Sequence, residues 1–328
     1  MLVSLYTLIS NAMKRFIIKV TLFFALLVVA DVLCGFALGY IAKNTKGGFT
    51  ERDTYICDKM ETDFLLMGSS RCVRHYNPQI ITDSLGMSCY NTGQMGNGII
   101  LNYGRLRMID ERKKPKVVIY DIAPDFDLFV SDDNHRYLTW LKQHYERNGI
   151  ADIFESVDAT EKYKMVSQMY RYNSRIIELM TDYFYPIYDA RADGFSPLKG
   201  ELNRTKIKDS GENEKKLVVD SVKLDYINKL IDELDGVKLY FVVSPKWYGM
   251  DSLQFQPIRY ICQERGIPFI DFANNPKYVH QDIFFKNGNH MNERGADEFT
   301  KDLIGCLKKY YKEETLDDSD KKLMHGLQ

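Results

Sequence analysis

The chain has 328 residues, of which 45% are hydrophobic and 27% are charged, and its formal net charge is -1. This composition excludes an intrinsically disordered protein, and the balanced charge gives no support to nucleic-acid binding. The length allows one large α/β domain or two smaller ones. Six cysteines are present, but no C-x-x-C spacing or paired framework is visible, so we predict no metal site and no cofactor.

An apolar segment near the N-terminus, residues 22–42, is interrupted only by Asp31. At ~1.5 Å per residue a helix of this length spans about 30 Å, the thickness of a bilayer's hydrocarbon core. Basic residues precede it, which favours a cytoplasmic position for residues 1–21. The alternative is a cleaved signal peptide, but the segment is long for one and no small-x-small cleavage site follows. We therefore expect a single-pass anchor in the cytoplasmic membrane, with the main domain extracytoplasmic (periplasmic).

Five short apolar runs follow the anchor, and we predict each to be a β-strand: Thr62–Met67, Met87–Asn91, Lys116–Ile122, Val237–Ser244 and Ile267–Phe272. Helical patterns fall between and after them, at Ile99–Arg112, Lys216–Leu234, Leu253–Glu264 and Glu293–Tyr311. Continuous apolar strands that alternate with helices indicate a parallel sheet covered on both faces. We predict an α/β domain over residues 43–312, with ligands bound outside the carboxyl ends of the strands.

A long segment between the third and fourth strands, about residues 126–215, does not fit a simple crossover and is predicted to be a helical insertion. It is rich in tyrosine. One interpretation packs these aromatics on the sheet, and the other forms an aromatic groove for an extended substrate such as a glycan. The polar stretch Glu201–Lys216 is predicted to be a flexible loop, and residues 313–328 a flexible tail.

The sequence Gly68-Ser69-Ser70-Arg71 directly follows the first strand. A strand that turns into a helix at Gly-x-Ser can present a serine nucleophile beside free backbone N–H groups. Far along the chain, His290 lies in a loop after the fifth strand and just before a helix. The same residues have plainer interpretations, because serine is a common helix N-cap and His290 could cap the last helix. If both lie at one edge of the sheet, they can form a nucleophile and base.

The order and spacing of these motifs resemble the SGNH/GDSL hydrolase superfamily, and most of all its membrane-anchored cell-envelope branch. That branch includes alginate acetyltransferase-like proteins and the D-alanyl transfer protein of teichoic acid synthesis. The resemblance covers roughly residues 63–309, apart from the insertion. In the first block it selects Ser70 rather than Ser69. In the second block Asn91 is followed five positions later by Gly96, and the last block ends at His290.

The resemblance implies a flavodoxin-like three-layer α/β/α fold with a central parallel sheet. It also implies a Ser70 nucleophile, a His290 base, and an oxyanion held by the N–H groups of Ser70 and Gly96. Asn91 and Arg71 are the candidate substrate-binding residues. The implied activity is that of an esterase or O-acyltransferase on acylated cell-envelope glycans. The expected partners are an acylated glycan or other ester substrate and the lipid bilayer through the N-terminal helix, with a membrane protein as a further candidate.

Two features depart from the family pattern. The family's Gly-x-Asn-Asp block is missing after the third strand, where Asp121–Asp125 stands. Asn287 occupies the place of the aspartate that orients the histidine. A neutral amide can accept a hydrogen bond from the ring, but it cannot stabilise an imidazolium by charge. The alternatives are a triad with Asn287, a Ser-His dyad, or a different carboxylate, and the candidate carboxylates are Asp282, Asp125 and Asp127.

Loss of activity is a further alternative. The chain would then be a catalytically inactive SGNH-fold subunit that binds or assembles within a polysaccharide-modifying system. A soluble cytosolic α/β protein is disfavoured by the apolar segment 22–42.

Overall fold

The computed structural model describes residues 2–130, 134–187, 191–206 and 217–315. The chain forms two compact units. The first, which we call the helical unit, consists of Met1–Thr54 and Thr139–Ile187. The second, the sheet unit, consists of Tyr55–Leu138 and Tyr188–Gln328. The predicted insertion therefore divides between the two units.

The helices and strands, in chain order, are α1 (Leu2–Asn44), α2 (Gly48–Asp58), β1 (Phe64–Gly68), α3 (Ser70–His75), α4 (Pro78–Leu85), β2 (Cys89–Asn91), α5 (Ile99–Asp110), β3 (Val117–Asp121), α6 (Pro124–Asp127), α7 (Ile150–Val157), α8 (Glu161–Lys164), α9 (Ile176–Phe184), α10 (Ser221–Glu233), β4 (Lys238–Val243), α11 (Gln256–Arg265), β5 (Phe269–Asp271) and α12 (Glu293–Thr315). Short 3₁₀ turns lie at Asn134–Leu138, Lys142–His144, Tyr170–Tyr172, Arg204–Lys206, Ser252–Phe255 and Asp282–Phe284.

The five strands form one parallel sheet in the order β2-β1-β3-β4-β5. This is the strand order of flavodoxin-like folds, in which ligands bind at the carboxyl ends of the strands. All five predicted strands are present, and each bound lies within two residues of its predicted position. The predicted α/β fold is therefore confirmed. β1 and β3 are buried along their whole length, which explains their uninterrupted apolar sequence.

Helices cover both faces of this sheet. On one face Leu66, Ile119 and Val242 pack into a core with Phe299 and Leu303 of α12. On the other face the Asn102 side chain of α5 donates a hydrogen bond to the Tyr120 hydroxyl at 3.2 Å. Tyr103 of α5 also packs against Tyr226 of α10, with ring centroids 5.2 Å apart. The four helices predicted in this region are α5, α10, α11 and α12.

Within the helical unit, α1 contains a stretch, Asn11–Asn44, that is long and apolar enough to cross a membrane, and no residue of its most apolar part is buried. The helix extends beyond the predicted 22–42 on both sides. Some of the described aromatics of the insertion pack within this unit, Trp140 among them. The Arg175 guanidinium lies 3.6 Å from the ring centroid of Trp140, and Trp140 meets Phe49 edge to face.

Two predicted segments fall mainly outside the described residues. Positions 207–216 of the predicted flexible loop and 316–328 of the predicted tail belong to this group. The start of the predicted tail is helical, because α12 continues to Thr315.

A buried ion pair joins the strands at their carboxyl ends. The Arg71 side chain donates to the Ser244 carbonyl at 3.0 Å and to the Ile122 carbonyl, and its Nε lies 3.6 Å from Asp121 Oδ2. Asp121 Oδ1 accepts hydrogen bonds from the Tyr76 hydroxyl at 2.8 Å and from the Ser244 N–H at 2.9 Å. This network ties α3 to the ends of β3 and β4.

Arg71→Met is expected to lower the free energy of unfolding by roughly 3–5 kcal/mol, because the Asp121 carboxylate would stay buried without its counter-charge. The measurement is urea unfolding of the full-length protein in detergent, followed by near-UV circular dichroism. The control is Arg265→Met, which removes an exposed pair with Asp232 and is expected to cost less than about 1 kcal/mol. Equal losses in the two variants would contradict the bracing role of Arg71.

Candidate active site

Ser70 is presented by a tight turn between β1 and α3. Gly68 has φ +144°, and a Cβ at this position would lie 2.8 Å from the Asp121 carbonyl oxygen, so glycine is required. Ser69 is the N-cap of α3, and its hydroxyl accepts from the Arg71 N–H at 3.4 Å. Ser69 is buried, whereas Ser70, the first residue of the helix, is partly exposed. The turn therefore directs Ser70, and not Ser69, toward open space.

A small hairpin holds His290. Phe285 and Met291 form an antiparallel bridge, and the Lys286 N–H donates to the His290 carbonyl at 2.9 Å. Asn292 secures the base of the hairpin: its amide donates to the Ile283 carbonyl at 2.9 Å, and its Oδ1 accepts the N–H of Gly295 at 2.9 Å. These contacts of Asn292 hold the loop of His290 against the start of α12.

The structure brings the two predicted residues together. His290 Nε2 lies 2.9 Å from Ser70 Oγ, and His290 Nδ1 lies 3.1 Å from Asn287 Oδ1. The same Asn287 oxygen accepts the backbone N–H groups of Asn289 and His290, each at 3.0 Å. Because only an oxygen can accept these two donors, the orientation of the amide is fixed, and Nδ1 must carry the ring proton. The unprotonated Nε2 then faces the serine hydroxyl.

Two of the carboxylates considered as alternatives to Asn287, those of Asp282 and Asp127, have other partners. Asp282 accepts from the Trp247 indole at 2.9 Å and pairs with Arg204 at 2.6 Å. Asp127 accepts from the Tyr120 hydroxyl and the Ala123 N–H, both at 2.7 Å. Burial raises the pKa of Asp127 to about 7. In the described part of the chain, the group at His290 Nδ1 is therefore the amide of Asn287.

His290 is a weak base in this setting. Burial lowers its pKa to about 4, and the positive charges of Arg74, Arg71 and Lys246 contribute in that order. Arg74 is buried and donates to the Ser196 carbonyl at 2.7 Å. These cations disfavour the imidazolium form, and the neutral amide of Asn287 cannot offset them by charge.

A second histidine, which the sequence analysis did not single out, supports the hairpin. His75, the last residue of α3, is fully buried. Its Nε2 accepts the Met291 N–H at 3.0 Å, so Nδ1 carries the proton and donates to Ser244 Oγ at 3.0 Å. Burial lowers the pKa of His75 well below its usual value, which keeps it neutral. His75 thus links the end of β4 to the residue after His290.

The two predicted oxyanion donors lie on separate turns. Ser70 begins α3, and among the described residues no acceptor takes its N–H. Gly96 has φ +66°, which favours glycine, and its carbonyl accepts from Arg136 at 2.6 Å. This bond anchors the turn from its carbonyl side, and no described acceptor takes the Gly96 N–H.

The two predicted substrate-binding residues lie in the interior. Asn91 is fully buried, and its amide donates to the Cys72 carbonyl at 2.7 Å while its oxygen accepts the Gly93 N–H at 3.0 Å. Arg71 is also buried, within the brace between the strands. Both residues hold backbone in place around the Ser70 turn, and their contact with substrate stays a prediction.

No protein-family model matches the chain, and no curated protein matches it. Among solved structures, the chain is similar to a Bacteroides fragilis protein that is provisionally described as an acylhydrolase. The sequence identity is 11%, the similarity covers 79% of this chain and 94% of the other, and the TM-score is 0.38. The α/β fold of this chain is established by its own strand order and pairing.

The low pKa of His290 predicts an unusual pH profile for labelling of Ser70 by a fluorophosphonate. The pKa of about 4 lies below the ordinary 6.5, so the base form persists as the pH falls and is lost only near pH 4. Asn287→Asp is expected to raise the midpoint by about 1–3 units, because a carboxylate favours the imidazolium. The control is Asp282→Asn, which should leave the midpoint unchanged. A wild-type midpoint near 6.5 would contradict the electrostatic account.

Proposed function

We propose that the protein is a membrane-anchored serine esterase or O-acyltransferase of the SGNH/GDSL type, with its sheet unit outside the cytoplasm. Its proposed substrates are acylated cell-envelope glycans. The observation that carries the catalytic part is the 2.9 Å contact between Ser70 Oγ and the unprotonated Nε2 of His290. A nucleophile and base at hydrogen-bond distance, with the base oriented by a third group, is the arrangement of nucleophilic acyl-transfer enzymes.

The proposed reaction proceeds through an acyl-enzyme. His290 takes the Ser70 proton while Oγ attacks the ester carbonyl, and the N–H groups of Ser70 and Gly96 hold the oxyanion. His290 then gives the proton to the departing alcohol. Water or a sugar hydroxyl attacks the acyl-Ser70 ester, again with His290 as the base, and regenerates the serine. The acceptor decides between hydrolysis and transfer.

The glycan and envelope assignments rest on the resemblance of the sequence motifs to the envelope branch of the superfamily. The length and apolar character of α1 support the anchor. The basic residues before the apolar segment support the side of the membrane on which the sheet unit is placed.

The second candidate function is that of a non-catalytic SGNH-fold subunit that binds or assembles within a polysaccharide-modifying system. One specific observation favours it: His290 has a pKa of about 4 and a neutral orienting group. A base is most effective when its pKa lies near the working pH, so proton transfer to His290 is less favourable than in a triad with a carboxylate.

Ser70→Ala and His290→Ala are each expected to reduce esterase or acyl-transfer activity on acetylated sugars by about 10³-fold or more, because each removes one member of the reacting pair. Ser69→Ala is the matched control. It removes only an N-cap, which costs about 0.5–2 kcal/mol of stability, and should retain most activity. If wild-type protein shows neither activity nor fluorophosphonate labelling, the non-catalytic function becomes the better one.

The proposed topology predicts that a reporter active only in the periplasm will be active when fused after Gln328. The physical reason is the basic segment before one apolar span, which is retained in the cytoplasm. A matched fusion of a reporter that works only in the cytoplasm should be silent. The reverse pattern would place the sheet unit inside the cell and overturn the extracytoplasmic assignment.

A further inference from the structure

Asp31 places a carboxylate within the apolar part of α1, and the structure shows what satisfies it. Its Oδ1 accepts from the Ser167 hydroxyl at 2.6 Å and from the Met169 N–H at 3.1 Å, and its Oδ2 accepts from the Gln168 N–H at 2.7 Å. An ionisable side chain at membrane depth is costly unless it is paired. The three donors come from one turn of the insertion, so this turn must lie at the same level of α1 as Asp31.

After this turn, the chain runs beside α1 toward the C-terminal end of that helix. A Cβ on Gly35 would lie 2.3 Å from the Gln168 Cβ, and one on Gly39 would lie 3.0 Å from the Tyr172 hydroxyl. Beyond the end of α1, the Thr50 N–H donates to Asp182 at 2.9 Å. The contacts ascend in order on both sides, so the segment 167–182 runs beside α1 in the same direction. At ~1.5 Å per residue, the part from Asp31 to Gly39 alone covers about 12 Å.

This segment exposes large apolar side chains, and so does α1 beside it. On α9, Ile177 is 84% exposed and Phe184 is 60% exposed, and their spacing places them on one face. The opposite face of α9, with Leu179, is buried. Just before and after the segment 167–182, the strongly exposed apolar residues are Tyr163, Val166, Tyr185 and Ile187. On the neighbouring part of α1 they are Leu33, Phe36 and Tyr40.

We propose that residues 163–187 form a membrane-embedded element, which lies beside the C-terminal half of α1 in the leaflet that this half reaches, and that bilayer lipid covers its apolar face. The proposal rests on the membrane anchoring included in the proposed function. Asp31 locks the element to α1. The apolar surface of α1 continues directly onto it, which makes lipid the matching occupant.

The test is fluorescence quenching by brominated lipids, with the full-length protein in liposomes. Phe184→Trp and Val166→Trp place a probe on the proposed face. Tyr260→Trp, on α11 and 65% exposed, is the matched control for an exposed ring in water. Leu27→Trp reports on α1 itself. The two native tryptophans form the same background in all four variants.

The expected result is that brominated lipids quench Phe184→Trp and Val166→Trp at least about two-fold more than Tyr260→Trp. Leu27→Trp should also be quenched. If Leu27→Trp is quenched but both probes behave like Tyr260→Trp, the membrane-embedded element is wrong while the anchor stands. If Leu27→Trp is not quenched, the anchor and the element both fail. Quenching of the probes that disappears at high protein density would mean that a second copy covers the face, and would also overturn the proposal.

A second measurement tests whether the hydrogen bonds of Asp31 hold the segment against α1. Asp31→Leu leaves three donors at the Ser167 turn without an acceptor, so the segment should detach and trypsin should cleave after Lys162 and Lys164 several-fold faster than in wild type. Asp31→Asn keeps an acceptor and should stay close to wild type. Equal cleavage in wild type and Asp31→Leu would show that Asp31 does not hold the segment.

Discussion

The candidate site depends on one buried contact, the interaction of the Arg71 guanidinium with the carboxyl ends of β3 and β4. Parallel strands end at the same edge of a sheet, but their ends must be held in register before side chains on different loops can meet at sub-ångström precision. Arg71 holds the strand ends in register, because its side chain donates hydrogen bonds to the carbonyls of Ile122 and Ser244 while it faces Asp121. Because Arg71 lies one residue after Ser70, the turn that presents Ser70 is tied directly to these contacts.

The contacts of this brace continue toward His290 through α3. His75, at the other end of this six-residue helix, bonds both Ser244 and the backbone next to His290. One short helix therefore carries Ser70 at its first residue and supports the hairpin of His290 at its last.

The sheet could be predicted from the sequence because β1, β3 and β4 are buried along most of their length and so appear as unbroken apolar runs. The meeting of Ser70 and His290 could also be predicted, since Ser70 follows the first strand and His290 lies in a loop after the fifth. The roles of Arg71 and His75 were not, because their partners at Ser244 and Met291 are 169 to 216 residues away in the chain. The pairing of Asp31 with a turn 136 to 138 residues away was hidden for the same reason.

The neutral amide of Asn287 affects the pH range over which His290 stays unprotonated. In the extracytoplasmic position that we propose for it, the sheet unit meets whatever acidity the medium has, without the buffering of the cell interior. A histidine paired with a carboxylate gains protons as the medium acidifies through about pH 6 to 7 and stops acting as a base. A histidine with a pKa of about 4, oriented by an amide, keeps its lone pair across that range. With an amide in place of a carboxylate, His290 is a weaker base at neutral pH, but mild acid does not change its protonation state.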